Sequence, residues 1–256
     1  MIAFLTSSPG GSYIEDGMRK PCELNRMNGF VETLKQYWKQ NTKCLLISSD
    51  PQDTRMNDSM RETFRVSFSL SGLPLEKCDV LDWRNDDLSG EEIADYDVII
   101  LSGGHVPTQN AFFGKIRLKE KLKGFGGVVI GISAGTMNSA DVVYAQPELQ
   151  GEADNPEYQR FLKGLGITKL MILPHYKEIK EEVLDGKGVM EDITYPDSMG
   201  ERFYALVDGS YIIVSKEETR LFGEAYLIED GRLSKLCEEN DSLRVAGDCC
   251  NKKKTG

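Results

Sequence analysis

The pentapeptide Gly131-Ile132-Ser133-Ala134-Gly135 is the strongest chemical feature of this 256-residue sequence. A serine hydroxyl is a weak nucleophile, so it must be exposed, oriented and placed beside a base. The apolar run VVI precedes the pentapeptide, and TMNSADVV after it can begin a helix. A sharp turn from strand to helix would lift the hydroxyl above a sheet, and the small neighbouring residues allow such a turn. The pattern predicts a catalytic Ser133. On this pattern alone, the alternative that Ser133 only caps a helix stays open.

Only two histidines, His105 and His175, are available to act as the base. His175 lies near the end of the apolar segment KLMILPHY, which follows Ser133 after about one helical unit. Catalytic groups collect at the carboxyl ends of the strands in a doubly wound sheet. We therefore expect Ser133 and His175 over adjacent strand ends, with His175 as the base. A half-buried histidine that only packs after a proline is the alternative.

The loop after the apolar segment DYDVIILSGG offers backbone groups that could bind an anion. Gly103 and Gly104 would let the chain approach a substrate closely and present an N–H to it. We therefore expect the N–H groups of Gly104 and Ala134 to form an oxyanion hole, with Gly103 as the substitute for Gly104. Gly103 would then contact substrate, and His105 would either form a wall of the pocket and contact substrate or have no role in the site.

The acid that would orient His175 is less well defined. Asp208 lies at the turn of LVDGSY, between two β-rich segments, where rigid structure would hold it. An Asp-Gly pair is also an ordinary hairpin turn, so the pattern alone does not decide. Glu201 and Asp192 are the nearby alternatives.

Short apolar runs alternate with longer amphipathic segments through the first 200 residues. Strands are predicted at 1–7, 42–50, 77–83, 95–104, 126–135 and 169–176, and helices at 17–40, 56–71 and 111–124. Unalternated apolar runs suit strands that are covered on both faces, as in a parallel sheet. The pattern predicts a doubly wound, mostly parallel α/β sheet. After about residue 200, Asp208-Gly209 and Asp230-Gly231 predict hairpins and hence a C-terminal antiparallel extension.

The ordered set Ser133, His175 and Asp208 resembles the dipeptidase E and cyanophycinase family of serine peptidases, peptidase family S51. The resemblance covers about residues 1–235 and rests on ISSDP, LSGG, GISAG, PHY and LVDGSYIIV in that order. It implies a flavodoxin-like fold similar to class I glutamine amidotransferase domains. It also implies that Asp208 is the acid and that residues 1–238 form a single S51-type hydrolytic domain. The polar end AGDCCNKKKTG predicts a C-terminal tail, over 239–256.

Two departures from the family pattern concern the substrate. The aspartyl dipeptidases usually have Gly-Gly-Asn after the central strand, where this chain has His105 in the third place. They also place a basic specificity element beyond the histidine, for which Lys177, Lys180 and Arg202 are the candidates here. The resemblance therefore implies an acyl-enzyme on Ser133 and a small peptide substrate more firmly than it implies Asp-x dipeptides.

Other classes of protein fit the sequence less well. An α/β-hydrolase normally has its acid before its histidine and several βα units between serine and histidine. Here only about forty residues separate Ser133 from His175, which leaves room for little more than one unit. A glutamine amidotransferase would need a cysteine at position 133. An inactive or regulatory binding protein with this fold, and a serine hydrolase of another amide or ester, stay open.

The composition limits the partners and the compartment. Lys and Arg number 31 and Asp and Glu number 41, and the net charge of −10 opposes binding to nucleic acid or an anionic membrane. No apolar run approaches the roughly 18 residues of a membrane span. The six cysteines form no C-x-x-C pair and no basic residue precedes the first apolar run, so we expect a cytoplasmic protein with reduced thiols. We expect no metal and no cofactor, because H-E-x-x-H and the glycine-rich phosphate motifs do not occur. A homodimer stays open.

Overall fold

The computed structural model describes residues 1–245 of the chain, which contain eighteen strands and eight α-helices. The strands are β1 (Ile2–Thr6), β2 (Gly10–Glu15), β3 (Met18–Leu24), β4 (Thr42–Ile47), β5 (Leu75–Leu81), β6 (Val98–Leu101), β7 (Val128–Ile132), β8 (Val142–Tyr144), β9 (Phe161–Lys163), β10 (Met171–Leu173), β11 (Val183–Leu184), β12 (Lys187–Gly188), β13 (Arg202–Leu206), β14 (Tyr211–Val214), β15 (Thr219–Phe222), β16 (Ala225–Glu229), β17 (Arg232–Cys237) and β18 (Ser242–Val245). The helices are α1 (Phe30–Lys35), α2 (Thr54–Leu70), α3 (Gly90–Ala94), α4 (Val106–Lys115), α5 (Leu118–Lys121), α6 (Ala134–Met137), α7 (Tyr176–Ile179) and α8 (Tyr195–Asp197). Short 3-10 turns lie at Met27–Gly29, Trp83–Asn85 and Leu122–Gly124, and a π-helix lies at Val189–Thr194.

The main sheet has eight strands in the order β18-β15-β14-β1-β7-β6-β4-β5. The five strands β1, β7, β6, β4 and β5 are parallel to one another. Strands β14, β15 and β18 are antiparallel to their neighbours and extend the sheet beyond β1. The predicted mostly parallel α/β sheet is confirmed, and C-terminal strands form its antiparallel edge. Counted from β4, the parallel strands follow the flavodoxin order 2-1-3-4, but β1 takes the fifth place.

Both faces of the parallel strands are buried. In β6, Ile99 and Leu101 pack into one hydrophobic cluster, and Val98 and Ile100 pack into another on the opposite face. Side chains from α3, α4 and α5 complete the first cluster, and side chains from α1 and α2 complete the second. Because successive residues of a strand point to opposite faces, a strand covered twice must be apolar throughout.

A second sheet has the order β10-β13-β16-β17, with β10 and β13 parallel and the other pairs antiparallel. The strand that leads to His175 therefore lies outside the main sheet. The prediction that Ser133 and His175 follow adjacent strands of one sheet is wrong. Both positions beside β7 are already filled, by β6 and by β1, so β10 pairs elsewhere.

The helix predicted over 17–40 begins only at Phe30, because residues 10–24 form the β2–β3 hairpin. Asp16 and Gly17 have φ values of 50° and 73°, as a two-residue hairpin turn requires, and Pro21 lies within β3. The Asp-Gly turn and the proline were both visible in the sequence. The helix prediction is wrong for residues 17–24, which belong to the hairpin.

Two further predictions changed in detail. The helix predicted over 111–124 begins at Val106 and breaks at Arg117, whose φ is 54°. Asp230-Gly231 forms the predicted hairpin between β16 and β17. Asp208-Gly209 does not form one, because β13 belongs to the second sheet and β14 to the main sheet. That turn instead carries the chain from one sheet to the other.

Strand β18 pairs with β15, so residues 242–245 belong to the folded part and the tail begins later than residue 239. The rest of the predicted tail, with Cys249 and Cys250, lies outside the described residues. Cys22, Cys44, Cys78 and Cys237 are free thiols, and each is buried or half-buried. Within residues 1–245 no helix combines the length and the apolar character that crossing a membrane requires.

Candidate active site

Ser133 occupies the sharp turn between β7 and α6, with φ 49° and ψ −113°. Such a backbone costs free energy for any residue other than glycine, and it is typical of functional turns. The turn needs its small neighbours. A Cβ on Gly135 would overlap the carbonyl of Leu101, and a Cβ on Gly131 would lie 2.9 Å from Thr136 Oγ1. The predicted strand–turn–helix corner is present, and the Ser133 side chain is half-buried rather than sealed.

His175 follows β10 after Pro174 and also has a left-handed backbone, with φ 58° and ψ 33°. Its Nδ1 lies 2.8 Å from Asp208 Oδ1. A carboxylate only accepts hydrogen bonds, so the proton of a neutral imidazole is on Nδ1 and Nε2 has a free lone pair. Within residues 1–245 Ser133 Oγ makes no hydrogen bond to His175. Catalytic hydrogen bonds are often long before substrate binds.

Asp208 is the acid that the structure brings to His175. The carboxylate is half-buried and accepts a second hydrogen bond, of 2.6 Å, from Ser7 Oγ. Asp192 instead accepts the N–H of Gly188. Glu201 is exposed and directly precedes β13 of the second sheet. Neither of these two alternative acids contacts His175 in the described part of the chain.

Ser133 and His175 line one cavity of about 330 Å³. It lies where the residues that follow β7 of the main sheet meet those that follow β10 of the second sheet, a region that we call the seam. The other lining residues are Gly104, Val106, Met137, Gln146, Pro147, Glu148, Leu173, Pro174, Glu178, Ile179 and Glu182. The lining includes three glutamates, and none of the lysines or arginines of residues 1–245 belongs to it. The cavity is large enough for a small ligand and carries acidic rather than basic side chains.

Of the two predicted oxyanion donors, Gly104 lines the cavity, whereas Ala134 is buried and is not part of the lining. Gly104 lines the cavity with φ 152°, and a Cβ there would overlap Ser49 Oγ. Ala134 is the first residue of α6, so no carbonyl lies one turn earlier to accept its N–H. In residues 1–245 the N–H of Gly104 likewise has no acceptor. A Cβ on Gly103 would lie 3.3 Å from Ser133 Cβ, which places Gly103 directly against the serine.

The charges around His175 favour its protonated form. Burial lowers the pKa of His175, but the hydrogen bond and charge of Asp208, together with the carboxylates of Glu178 and Glu148, outweigh it, and the net shift is upward. Burial raises the pKa of Asp208, but the hydrogen bonds from His175 and Ser7 outweigh it, and the net shift is downward. Asp208 is therefore suited to stay a carboxylate and to stabilise an imidazolium at His175.

The structure places Gly103, His105 and Arg202 outside the cavity lining, so their predicted contact with substrate is not supported. His105 Nε2 lies 2.8 Å from Glu152 Oε1, and its Nδ1 lies 2.7 Å from Thr108 Oγ1. Arg202 is paired with Glu229, and its side chain is 64% exposed. Neighbouring carboxylates engage both side chains.

Lys177 and Lys180, the other two candidates for a basic specificity element, also do not line the cavity. Lys177 is paired with Glu224, and Lys180 lies near Glu181. None of the three predicted basic residues is therefore in place to bind an acidic substrate side chain in the described structure.

Sequence reasoning missed Ser7 and Glu148. Ser7 follows β1, and the rule that placed functional groups at strand ends could have identified it. Glu148 lies in the loop between β8 and β9, where its carboxylate accepts the N–H of Val106 at 3.2 Å. Burial raises the pKa of Glu148, and the carboxylates of Glu152 and Glu182 add to the rise. No motif marks Glu148 in the sequence.

One group of residues has the composition of a metal site. Ligand atoms of His175, Glu178 and Asp208 lie within 4.8 Å of one another, the one such group of three in residues 1–245. His175 Nδ1 and Asp208 Oδ1 are already hydrogen-bonded to each other. The arrangement therefore fits an oriented imidazole better than a set of metal ligands.

The fold is α/β, and a serine on a strained strand-to-helix turn shares a cavity with the histidine of a histidine–aspartate pair. A sequence profile of Peptidase family S51 matches residues 30–222, and the chain belongs to that family. The protein is therefore a peptidase. Comparison with curated protein sequences finds no match.

Two solved structures share the fold along nearly the whole chain. A peptidase from an acI-B1 Actinobacterium superposes with a TM-score of 0.62 at 15% identity, covering 95% of this chain and 96% of that one. A protein assigned as peptidase E from Listeria monocytogenes EGD-e superposes with a TM-score of 0.53 at 15% identity, covering 92% of this chain and 98% of that one. At this identity the likeness concerns the fold alone.

Proposed function

We propose that this chain is a serine peptidase that hydrolyses small peptides through an acyl-enzyme on Ser133. One observation carries the proposal: Ser133, on its strained turn, opens into the same cavity as the imidazole that Asp208 orients. The family supplies the class of reaction, and the cavity of about 330 Å³ suits a small substrate. A cytoplasmic location stays a prediction of the sequence.

The reaction follows from the roles of these groups. His175 Nε2 takes the proton of Ser133 Oγ as the oxygen attacks the peptide carbonyl carbon. The N–H groups of Gly104 and Ala134 bind the oxyanion of the tetrahedral intermediate. The C–N bond breaks as His175 returns the proton to the leaving amine. His175 then removes a proton from water, which attacks the acyl carbonyl. The bond between Ser133 Oγ and the acyl carbon breaks, His175 returns the proton to Oγ, and the acid is released. Asp208 holds the imidazole throughout.

The charge of the cavity bears on which peptides fit. Glu148, Glu178 and Glu182 would repel the carboxylate of an N-terminal aspartate and attract a substrate ammonium or guanidinium. Complementary charge of this kind favours the matching substrate and rejects the opposite one. We therefore propose peptides with a basic or neutral first residue as substrates in preference to Asp-x dipeptides.

A fluorophosphonate probe with intact-mass detection tests the nucleophile. We expect one adduct on the wild-type protein and none on Ser133→Ala. Ser139→Ala is the matched control, because Ser139 lies on the same corner, is buried and donates to the carbonyl of Gly135. Equal labelling of Ser133→Ala and wild type contradicts the assignment. A folded wild-type protein that takes no label would instead favour the inactive or regulatory binding protein.

A panel of dipeptide amides with Lys, Ala or Asp in first place tests the substrate charge. We expect kcat/KM to fall in the order Lys, Ala, Asp, and we expect Glu148→Gln to reduce the spread. Turnover must be lost in Ser133→Ala for each substrate. A wild-type preference for Asp-x would overturn the charge argument while leaving the nucleophile assigned. Turnover of a matched ester but of no peptide would favour the other class of serine hydrolase.

A further inference from the structure

Ser7, the residue that follows β1, contacts all three residues of the proposed catalytic set. Its Oγ accepts the backbone N–H of His175 at 2.8 Å and lies 2.6 Å from Asp208 Oδ1. Its carbonyl accepts the backbone N–H of Ser133 at 3.2 Å, shared with the carbonyl of Thr6 at 3.2 Å. The Ser7 side chain is fully buried.

The direction of these hydrogen bonds follows from the groups involved. A hydroxyl has one proton to donate, and a carboxylate is the stronger acceptor near it. The carbonyl of Leu206 lies 3.5 Å from Ser7 Oγ, at the limit of a hydrogen bond, so the proton goes to Asp208. The lone pairs of the same oxygen are then free to accept the N–H of His175.

Ser7 lies where the two sheets meet. Ser133 is carried by the main sheet, whereas His175 and Asp208 follow strands of the second sheet. Strand pairing therefore cannot fix the distance between nucleophile and base. We propose that Ser7 is a positioning residue that ties Ser133 to the His175–Asp208 pair and shares the charge of Asp208 with the imidazole. This inference rests on the proposed function for its catalytic meaning.

The inference predicts an electrostatic effect that a packing residue would not have. In Ser7→Ala the carboxylate of Asp208 loses one of its two side-chain donors and interacts more strongly with the remaining donor, His175. The imidazolium is then stabilised, and the pKa of His175 rises further. The other carboxylates that face His175, Glu178 and Glu148, are unchanged in the variant.

Proton NMR titration of the imidazoles measures this effect without any turnover. The chain has only two histidines, so His105→Gln assigns the His175 resonance. We expect the His175 midpoint to move to higher pH in Ser7→Ala and to stay at the wild-type value in Ser7→Thr, which keeps the hydroxyl. We also expect kcat/KM to fall about 10- to 100-fold in Ser7→Ala, the size of losing a hydrogen bond to a charged group.

Ser71→Ala is the matched control. Ser71 is equally buried, and its hydroxyl also donates one hydrogen bond and accepts one, but far from the site, at the end of α2. We expect it to lower the melting temperature without moving the His175 midpoint. An unmoved midpoint and an unchanged kcat/KM in Ser7→Ala overturn the inference. So does a loss of stability in both Ser7 variants with the midpoint at its wild-type value. Because the titration needs no substrate, it can fail or succeed independently of the peptidase assignment.

Discussion

The two sheets contribute to the site in different ways. The main sheet supplies Ser133 and Gly104 from the ends of β7 and β6, which are neighbours in the sheet. The second sheet supplies His175 and Asp208 from the ends of β10 and β13, which also pair with each other. Across the seam, Ser7 hydrogen-bonds to His175 and Asp208, and a buried apolar cluster packs α6 against β10 and β13. Strand pairing orders each half, and function depends on how the halves meet.

The largest effect should come from removing either group that transfers the proton. We expect Ser133→Ala and His175→Ala each to lower kcat by roughly 10⁶-fold, and the double variant to lose no more than either alone, because the groups act as a unit. Single-turnover hydrolysis of the same peptide amide measures all three. If the fold losses in kcat of the two single variants instead multiply in the double variant, Ser133 and His175 act independently of each other.

Asp208→Asn should cost less, about 10⁴-fold, since the nucleophile and base remain and only the orientation and charge of the imidazole are lost. The melting temperature separates this loss from unfolding. Glu201→Gln is the control, because Glu201 is an acid near the second sheet that does not contact His175. A larger loss in Glu201→Gln than in Asp208→Asn would contradict the assignment of the acid.

Gly104→Ala tests the main-sheet half of the site and should lower kcat about 10²- to 10³-fold, the cost of losing one oxyanion donor. The added Cβ would overlap Ser49, and φ of 152° is strained for alanine. Gly114→Ala is the control, since a Cβ there meets nothing within 4 Å. Adding Ser49→Gly to Gly104→Ala should restore part of the rate. A wild-type kcat in Gly104→Ala would exclude this N–H from the reaction.

Local patterns in the sequence predicted the main-sheet half of the site well. The small residues around Ser133 and the glycine pair at 103–104 are required by close contacts with neighbouring backbone and side-chain atoms, and these contacts restrict the residue types that fit there. The apolar runs of β6 and β7 likewise follow from burial on both faces. Where neighbouring residues decide the structure, the sequence is informative.

The seam was not predictable in the same way. His175 was identified by residue type, but its strand was placed in the wrong sheet, because pairing partners are distant in sequence and strands of three residues carry little pattern. The turn at Asp208-Gly209 has the residues of a hairpin and yet connects two sheets. Ser7 and Glu148 gain their roles only from residues more than 40 positions away.

The smallest expected effect concerns how the charged groups of the second sheet and its loops change the pKa of the base, His175. His175 must be neutral to take a proton, and its pKa is raised above the usual 6.5. The acidic limb of kcat/KM should therefore have its midpoint above pH 6.5, with activity lost as pH falls through it. A wild-type midpoint below 6.5 would contradict the arrangement around His175.

Glu178→Gln sharpens this test. The variant keeps the burial of His175 and its hydrogen bond to Asp208 but removes one carboxylate that raises the pKa of His175. The midpoint should therefore fall by roughly 0.2–0.7 pH unit, which corresponds to the free energy of an exposed charge interaction. Glu181→Gln is the control, since Glu181 is an exposed neighbour that lies beside Lys180 and does not line the cavity. The pH profile of kcat/KM on a neutral dipeptide amide measures both variants. Equal shifts in both would mean that the net charge of the surface, rather than the cavity at the seam, sets the pKa of the base.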